Sequence, residues 1–259
     1  MPMSMTEIER SLRVLRLSGM RATLETRALQ VTQGDATFID GFALLLQDEL
    51  DRRRSRMSEQ RLKQSGLPLE ERKMLSEFDW GFNPKVPKKA CFELVAMNFL
   101  TQGQHALLIG SPGTGKSHIA KAVVTAATTA GHRVLYREAH RLFEELFEAE
   151  QFGRRKKLVR LFSEADLLVI DDLFLRKKQR PDAADELQEI IMNRYAARKS
   201  LLITSNRVIE DWGVCLGDQA VASAILDRLL HHGVLLKFQG KSYRLKEAAQ
   251  RLVKVGNDE

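Results

Sequence analysis

One stretch of eight residues constrains this chain more than any other. Residues 110–117 read Gly-Ser-Pro-Gly-Thr-Gly-Lys-Ser, which matches the pattern G-x-x-x-x-G-K-[ST] at every fixed position. An apolar run at 106–109 precedes it and predicts a buried strand, and residues 117–130 after it predict a helix. A strand, a glycine-rich loop and a helix in this order form a phosphate-binding P-loop. The context therefore predicts a nucleoside triphosphate site in a protein of the α/β class.

Each residue type in this loop has a physical reason to be there. The glycines let the backbone curl until its N–H groups converge on phosphates, and the next helix points its positive end at the same anion. Lys116 is predicted to reach the β and γ phosphates, and the Ser117 hydroxyl is predicted to hold Mg²⁺. The predicted nucleotide-binding residues of the loop are Gly110, Ser111, Pro112, Gly113, Thr114, Gly115, Lys116 and Ser117.

Size and charge narrow the class of protein further. The chain has 259 residues, a net charge of +7 and a pI of about 9.5, and this basic excess favours a polyanionic partner such as nucleic acid. No run approaches the roughly 20 apolar residues of a membrane span, and the N-terminus lacks the apolar core of a signal peptide. We therefore expect a cytoplasmic protein. Cys91 and Cys215 lie far apart, so a zinc site is not expected.

The pattern of the chain predicts three parts. Residues 1–65 predict a small all-helical domain that interacts with DNA or a partner, residues 66–100 a connector, and residues 101–259 the catalytic domain. In the helical part, a capping box at Thr6 and Glu9 is expected to start the first helix, and Gly19 is expected to stop it. A second helix is predicted from Met20 to about residue 33, and a third from about residue 37.

Several basic clusters are candidates for DNA contact. The third helix carries six basic residues against two acids between positions 51 and 64. This run predicts either an arm that contacts phosphates or a solvated extension of the helix. Three further basic clusters follow later in the chain, at 85–89, 154–157 and 176–180. The candidate DNA-binding residues are Arg52, Arg53, Arg54, Arg56, Arg154, Arg155, Lys156, Lys157, Arg176, Lys177 and Lys178.

From residue 103 onward, apolar strands alternate with amphipathic helices. Alternation of this kind predicts a five-stranded parallel sheet with helices on both faces. The predicted strands are 105–109, 133–137, 166–171, 200–204 and 234–238, and the predicted helices are 116–130, 139–149, 154–164, 183–197 and 219–231. In the connector, Phe78 and Trp80 are expected either to pack against a nucleotide base or to close the edge of the domain.

Polar residues follow two of these strands. Asp171 and Asp172 end the third strand, and ligands of parallel α/β sheets bind beyond the carboxyl ends of the strands. Asp171 is predicted to hold Mg²⁺ directly or through water, and Asp172 to orient or deprotonate an attacking water. Asn206, after the fourth strand, fits a residue that contacts phosphate and positions that water, although an ordinary polar strand end has the same appearance.

Arg228 is the candidate for a further catalytic cation. It is an arginine among apolar residues of a predicted amphipathic helix. An arginine finger supplied by a neighbouring subunit stabilises charge on a transferred phosphoryl group. The alternative is an ordinary ion pair with a nearby acid.

With these elements in register, the chain resembles AAA+ ATPases, and more narrowly the IstB-type helper ATPases of insertion sequences, relatives of DnaC and DnaA. The resemblance rests on GSPGTGKSHIA at 110–120, LLVIDDL at 167–173, LLITSNR at 201–207 and ILDRLLHH at 225–232. It implies ATP hydrolysis with Mg²⁺, homo-oligomers that assemble on double-stranded DNA without strong sequence preference, and an IstA-like transposase as partner. It also implies that Asn206 is sensor 1 and that Arg228 acts in a neighbouring subunit.

Two alternatives remain at this stage. A DnaC-like helicase loader would use the same ATP site, with residues 1–65 docking a helicase. A small-molecule P-loop kinase needs neither the paired acids nor an arginine finger, and the hydrolytic pattern disfavours it. The chain also ends about 20 residues after the last predicted strand, which is short for the helical lid of many AAA+ proteins, so the role of Arg244 stays open.

Overall fold

A computed structural model describes residues 3–34, 37–175 and 182–255 of the chain, with side chains to residue 250. The chain divides into two compact units, Met1–Gln60 and Arg61–Glu259. The candidate DNA-binding residues Arg176, Lys177 and Lys178 lie outside the described residues. The predicted domain limits at 65 and 100 stay a prediction.

The first unit is helical, as expected. Its core joins Leu12, Met20 and Leu24. The helices are α1 (Met5–Val14), α2 (Ser18–Thr32) and α3 (Phe38–Ser65), of which α3 continues into the second unit.

The start of α1 differs from the prediction by two positions. The capping box joins Ser4 and Glu7: the Ser4 hydroxyl accepts from the Glu7 N–H at 3.4 Å, and the Ser4 N–H donates to the Glu7 carboxylate at 2.8 Å. Ser4 and Thr6 each have a glutamate three residues later, and the earlier box gives the longer helix. The predicted box at Thr6 and Glu9 was therefore wrong.

Gly19 does not stop a helix, contrary to the prediction. The first helix already ends at Val14, and Gly19 lies inside α2. A Cβ at this position would lie 2.6 Å from the Asp48 carbonyl oxygen, and the Gly19 N–H donates to the Glu49 carboxylate at 2.6 Å. The glycine therefore allows α2 and α3 to approach closely, which is a role in packing that its position in the sequence does not reveal.

The second unit is built on a five-stranded sheet of order β2-β3-β4-β1-β5. Every pairing in it is parallel. The strands are β1 (His105–Gly110), β2 (Val134–Glu138), β3 (Leu167–Leu173), β4 (Ser200–Ser205) and β5 (Gly233–Phe238). The helices are α4 (Lys88–Val95), α5 (Asn98–Thr101), α6 (Lys116–Thr129), α7 (Ala139–Gln151), α8 (Arg155–Glu164), α9 (Ala183–Ala196), α10 (Trp212–Leu216), α11 (Gln219–His231) and α12 (Tyr243–Val255). The predicted sheet and its five alternating helices are confirmed.

Two separate cores show that helices cover both faces of the sheet. In β1, Leu107 and Ile109 belong to one core, and Ala106 and Leu108 belong to the other. Successive side chains of a strand point to opposite faces, so each core fills one face. Helices α7, α8, α9 and α11 contribute to the first core, and α4 and α6 to the second. The prediction of a doubly covered sheet is confirmed.

Residues 66–100 are more ordered than a connector. Two short 3-10 turns, Leu69–Glu71 and Leu75–Glu77, precede α4 and α5. The segment places several buried side chains in the core shared with α6, namely Leu67, Leu75, Val86, Cys91, Leu94, Met97 and Phe99. Among the described residues, no helix combines the length and apolar character needed to cross a membrane.

Candidate functional site

A cleft of about 550 Å³ lies at the carboxyl ends of the strands, within the usual size of small-molecule sites. Parallel α/β sheets commonly bind their ligands beyond these ends, so the cleft lies where a ligand is expected. Four parts of the second unit line it: the P-loop, the ends of β3 and β4, the segment before α4, and the start of α12. The polar lining of the cleft includes Lys116, Ser117, Asp172, Asn206, Asn83 and Arg244.

Lys116 is the first residue of α6, and it is buried. Its ammonium group donates to the carbonyl oxygens of Gly110 at 2.7 Å and Ser111 at 2.9 Å, and to Oδ1 of Asn206 at 2.6 Å. Burial lowers the pKa of Lys116 to about 8, with the Asp172 and Asp171 carboxylates opposing this shift and the Arg244 charge adding to it. A desolvated cation beside an open cleft attracts anions strongly. The structure therefore brings the predicted Lys116 and Asn206 together.

Two glycines of the loop are required by close contacts. Gly113 has φ +74° and Gly115 has φ +103°, which are left-handed conformations that side chains rarely adopt. A Cβ at Gly113 would collide with Ser242, and a Cβ at Gly115 would collide with the Phe78 ring. The loop thus packs against segments that come both before and after the sheet in sequence.

The two acids at the end of β3 lie in different surroundings. Asp171 is only 2% exposed and does not line the cleft; the hydroxyls of Tyr136, at 2.7 Å, and Thr204 each donate to one of its oxygens. Asp172 lines the cleft with φ +54°, and its N–H donates to the Thr204 hydroxyl at 2.8 Å. The left-handed turn therefore sends the second carboxylate into the cleft while the first stays behind it.

Burial, followed by the neighbouring Asp171 charge, raises the pKa of Asp172 above its ordinary value, and Lys116 opposes the rise. A carboxylate with a raised pKa is a better proton acceptor near neutral pH. Ser117 and Asp172 offer hydroxyl and carboxylate oxygens to the same cleft. This donor set fits Mg²⁺, which one or two protein oxygens and substrate phosphates commonly hold.

Arg228 does not line the cleft of its own chain. It lies on α11, where its guanidinium donates to the Ala224 carbonyl at 2.8 Å and lies 3.9 Å from the exposed Asp227 carboxylate. Its side chain is 30% exposed. The guanidinium is accordingly held at the surface by its own helix, and the ion pair with Asp227 is at the limit of contact.

Arg244 is a cleft residue that the sequence left open. It follows Tyr243, the first residue of α12, and both line the cleft. The Tyr243 N–H donates to the Gly113 carbonyl at 2.9 Å, so the helix starts directly against the P-loop. The one signal in the sequence was a polar, basic segment, KSYRLK at 241–246, after the last strand. The position of this segment in space depends on β5, which precedes it and pairs with β1.

Phe78 and Trp80, the two aromatic residues that the sequence analysis singled out, have different positions. Phe78 lines the cleft and packs edge-on against His118 with ring centres 5.3 Å apart. Trp80 stacks on Phe92 at 5.7 Å and contacts Phe78 at 4.5 Å. Phe78 is therefore available to a base, while Trp80 supports it and closes the edge of the unit.

The predicted basic clusters are only partly available for DNA. Arg155 pairs with Glu189 and lies 3.5 Å from Glu150, whereas Lys156 and Lys157 are exposed. On α3, Arg53 pairs with Glu49 at 2.7 Å and Arg54 with Asp51 at 3.4 Å. The other candidates in the described part are exposed, namely Arg52, Arg56 and Arg154.

Comparison with known proteins adds to this geometry. Residues 10–251 match the family model of the IstB-like ATP binding proteins. The chain belongs to this family. Among its relatives is the insertion sequence IS21 putative ATP-binding protein of Pseudomonas aeruginosa, 36% identical over 243 residues, which cover 94% of this chain and 90% of the relative.

Solved structures of replication proteins share the AAA+ fold of this IstB-like chain. The replication initiator DnaA bound to AMPPCP and single-stranded DNA has a TM-score of 0.56 at 21% identity, over 70% of this chain and 54% of that one. The DnaC helicase loader has a TM-score of 0.51 at 24% identity, over 59% of this chain and 88% of that one. Identities this low establish the fold alone, so the predicted AAA+ architecture is confirmed.

Proposed function

We propose that this protein is an ATPase that assembles on double-stranded DNA and acts as a helper in transposition. One observation carries the proposal: Lys116, Asp172 and Asn206 converge on one cleft that Arg228 of the same chain does not line. The cleft holds the parts for binding and hydrolysing a nucleoside triphosphate, and the remaining cation of the hydrolytic pattern, Arg228, lies partly exposed on α11. A second copy of the chain supplies that cation.

The residues divide the work as follows. Lys116 releases its contacts with the Gly110 and Ser111 carbonyls and binds the terminal phosphates of ATP, while the loop N–H groups hold the others. Asp172 accepts the proton of the attacking water, and Asn206 positions that water. Ser117 and Asp172 in the cleft, with Asp171 behind them acting through water, would hold Mg²⁺, which would neutralise phosphate charge. Arg244, beside Lys116, contacts the phosphates from the side of α12.

Assembly couples ATP to the rest of the function. Arg228 of one subunit completes the site of the next, so ATP favours a chain of adjacent subunits. Such an assembly presents a repeated basic surface to the DNA backbone, and its exposed candidates include Arg52, Arg56, Arg154, Lys156 and Lys157. The protein meets this DNA in the cytoplasm.

The transposase partner is supported by the kind of protein that the relatives are. The relatives from Pseudomonas aeruginosa and Mycobacterium tuberculosis are both named as putative ATP-binding proteins of insertion sequences. The second of these is 31% identical over 94% of this chain. We infer that an IstA-like transposase receives the DNA that this protein selects, and that the transposase stimulates ATP turnover by this protein. The helicase-loader alternative has the common fold in its favour, at lower identity and coverage.

Turnover measured against protein concentration tests the proposal. With duplex DNA and Mg²⁺-ATP, the rate per subunit should rise with concentration, because the site needs a neighbour. Asp172→Asn should retain ATP and DNA binding and lose turnover. DNA affinity should fall steeply with salt. A rate per subunit that is constant under dilution, or a flat salt dependence, would contradict the assembly or the backbone contact respectively.

A further inference from the structure

Asn83 makes two hydrogen bonds with the backbone of one distant residue. Its Nδ2 donates to the Lys241 carbonyl at 2.9 Å, and its Oδ1 accepts from the Lys241 N–H at 2.9 Å. The side chain is buried, with 5% of the residue exposed. A side-chain amide that bonds both the N–H and the C=O of one residue pairs with it as a neighbouring strand would, and it fixes that residue in place.

Other contacts between the same two segments support this fixed point. Gly240 has φ +149°, and a Cβ there would collide with Asn83. Phe82 packs edge-on against Tyr243 with ring centres 5.3 Å apart, and Lys246 pairs with Asp79 at 3.1 Å. The segment 79–83 therefore holds the start of α12 from one side.

The P-loop holds it from the other side. The Tyr243 N–H donates to the Gly113 carbonyl, and the Ser242 side chain occupies the space where Gly113 has no Cβ. Arg244 is the next residue, and it lines the cleft. Three positions thus separate the peptide fixed by Asn83 from the guanidinium that faces the cleft.

We propose that Asn83 is the positioning residue for Arg244: by fixing the Lys241 peptide it sets the start of α12 against the P-loop, so that Arg244 faces a bound triphosphate. This proposal rests on the proposed function for the identity of the ligand. Asn83 lines the cleft, but its Oδ1 and one N–H of its Nδ2 bond Lys241, and we therefore assign its effect to Arg244 rather than to a contact with the nucleotide. The charge of Arg244 also contributes to the lowered pKa of Lys116, which agrees with its closeness to the phosphate site.

Hydrogen–deuterium exchange of the nucleotide-free protein tests the anchoring step without ATP. In Asn83→Ala, amides of residues 241–247 should exchange at least about tenfold faster, because the two buried hydrogen bonds that hold this segment are lost. The P-loop helix α6 should keep its protection. Asn193→Ala, at an exposed asparagine on α9, is the matched control and should leave 241–247 unchanged. Unchanged exchange at 241–247 in Asn83→Ala would overturn the proposal.

A double-mutant cycle then tests whether Asn83 acts through Arg244. ATP dissociation constants are measured for the full chain, Asn83→Ala, Arg244→Ala and the double variant. Asn83→Ala should weaken ATP binding about tenfold when Arg244 is present and have little effect in the Arg244→Ala background. Equal losses in both backgrounds would overturn the proposal, since they indicate a general loss of structure.

Asn83→Asp keeps the acceptor for the Lys241 N–H but places a carboxylate oxygen against the Lys241 carbonyl oxygen. Exchange at 241–247 should therefore be faster in this variant than in the unaltered protein. Unchanged exchange at 241–247 in Asn83→Asp would overturn the positioning role. Absence of ATP binding by the unaltered protein would instead contradict the proposed function, while the exchange result would still decide the anchoring.

Discussion

Two buried cations lie at opposite ends of the same sheet, and they differ in what surrounds them. Lys116, at the carboxyl end of β1, donates to two backbone carbonyls and one side-chain amide. Arg194, on α9, donates to the carbonyls of Phe162, Asp166 and Ser200, near the starts of β3 and β4. Burial lowers both pKa values, that of Lys116 to about 8 and that of Arg194 to about 9.

The difference lies in what each cation can exchange for its present partners. Lys116 faces a cleft that also contains Asp172 and Arg244, so a phosphate can replace its carbonyl contacts. Arg194 is fully buried and joins three segments of backbone. Burial and a lowered pKa are thus common to a binding residue and a structural one, and the cleft separates the two roles.

The largest effect is expected from Lys116→Ala. Turnover should fall by about 10³-fold, because the main charge facing the phosphates is lost. The free energy of unfolding should change by less than about 1 kcal/mol, since water in the cleft can bond the freed carbonyls. Steady-state ATPase assays and urea denaturation measure the two quantities. A large loss of stability with turnover preserved would remove the contrast with Arg194.

Arg194→Leu should have the opposite profile. The buried carbonyls of Phe162 and Ser200 and the part-buried carbonyls of Ser163 and Asp166 lose their donor, so the free energy of unfolding should fall by about 3 kcal/mol or more. ATP affinity of the protein that remains folded should stay within about twofold of the unaltered protein. Arg133→Leu, at an exposed arginine before β2, is the control for loss of charge alone. Unchanged stability in Arg194→Leu would refute its structural role.

ATP affinity should depend on pH through Lys116. Its lowered pKa of about 8 means that, above this pH, the nucleotide-free lysine is increasingly neutral and must take up a proton to bind phosphate. The dissociation constant should rise as pH increases above 8, by at most about tenfold per unit. Calorimetry at pH 9 in two buffers of different ionisation enthalpy should detect proton uptake. An ATP affinity that does not change between pH 7 and pH 9.5 would contradict the assignment.

The smallest effect is expected from Tyr136→Phe. It removes one of the two hydroxyls that donate to Asp171. The loss should lower the free energy of unfolding by about 1 kcal/mol or, if the Asp171 carboxylate shifts, lower turnover about fivefold. Tyr195→Phe is the control: it removes a hydroxyl on α9 that bonds His231 and does not contact Asp171, and it should leave turnover unchanged. Equal turnover for both variants would mean that the position of Asp171 does not depend on Tyr136.

The sequence predicted the parts of this site that are local in the chain. The P-loop, the paired acids and the polar end of β4 each follow an apolar strand, and strand alternation was enough to place them at one edge. It did not reveal how the two acids differ, because the left-handed turn at Asp172 and the hydroxyls from Tyr136 and Thr204 depend on neighbouring strands.

Contacts between distant segments were also beyond the sequence. Asn83 and Lys241 are 158 positions apart, and nothing in either stretch indicates the other. For the same reason the residues at 66–100 read as a connector, although their apolar side chains complete one face of the sheet. Gly19 shows the same limit, since close packing against α3 requires it where a helix stop was predicted.

The central claim is that neighbouring subunits complete each other's site, and a mixing experiment tests it most directly. Arg228→Ala and Asp172→Asn are each expected to lose turnover, the first by about 10³-fold. In a mixture with DNA and ATP, an Arg228→Ala subunit keeps its own acids and receives the intact arginine of an Asp172→Asn neighbour. Turnover well above that of either variant alone is the predicted result. A mixture as inactive as its components would contradict the claim.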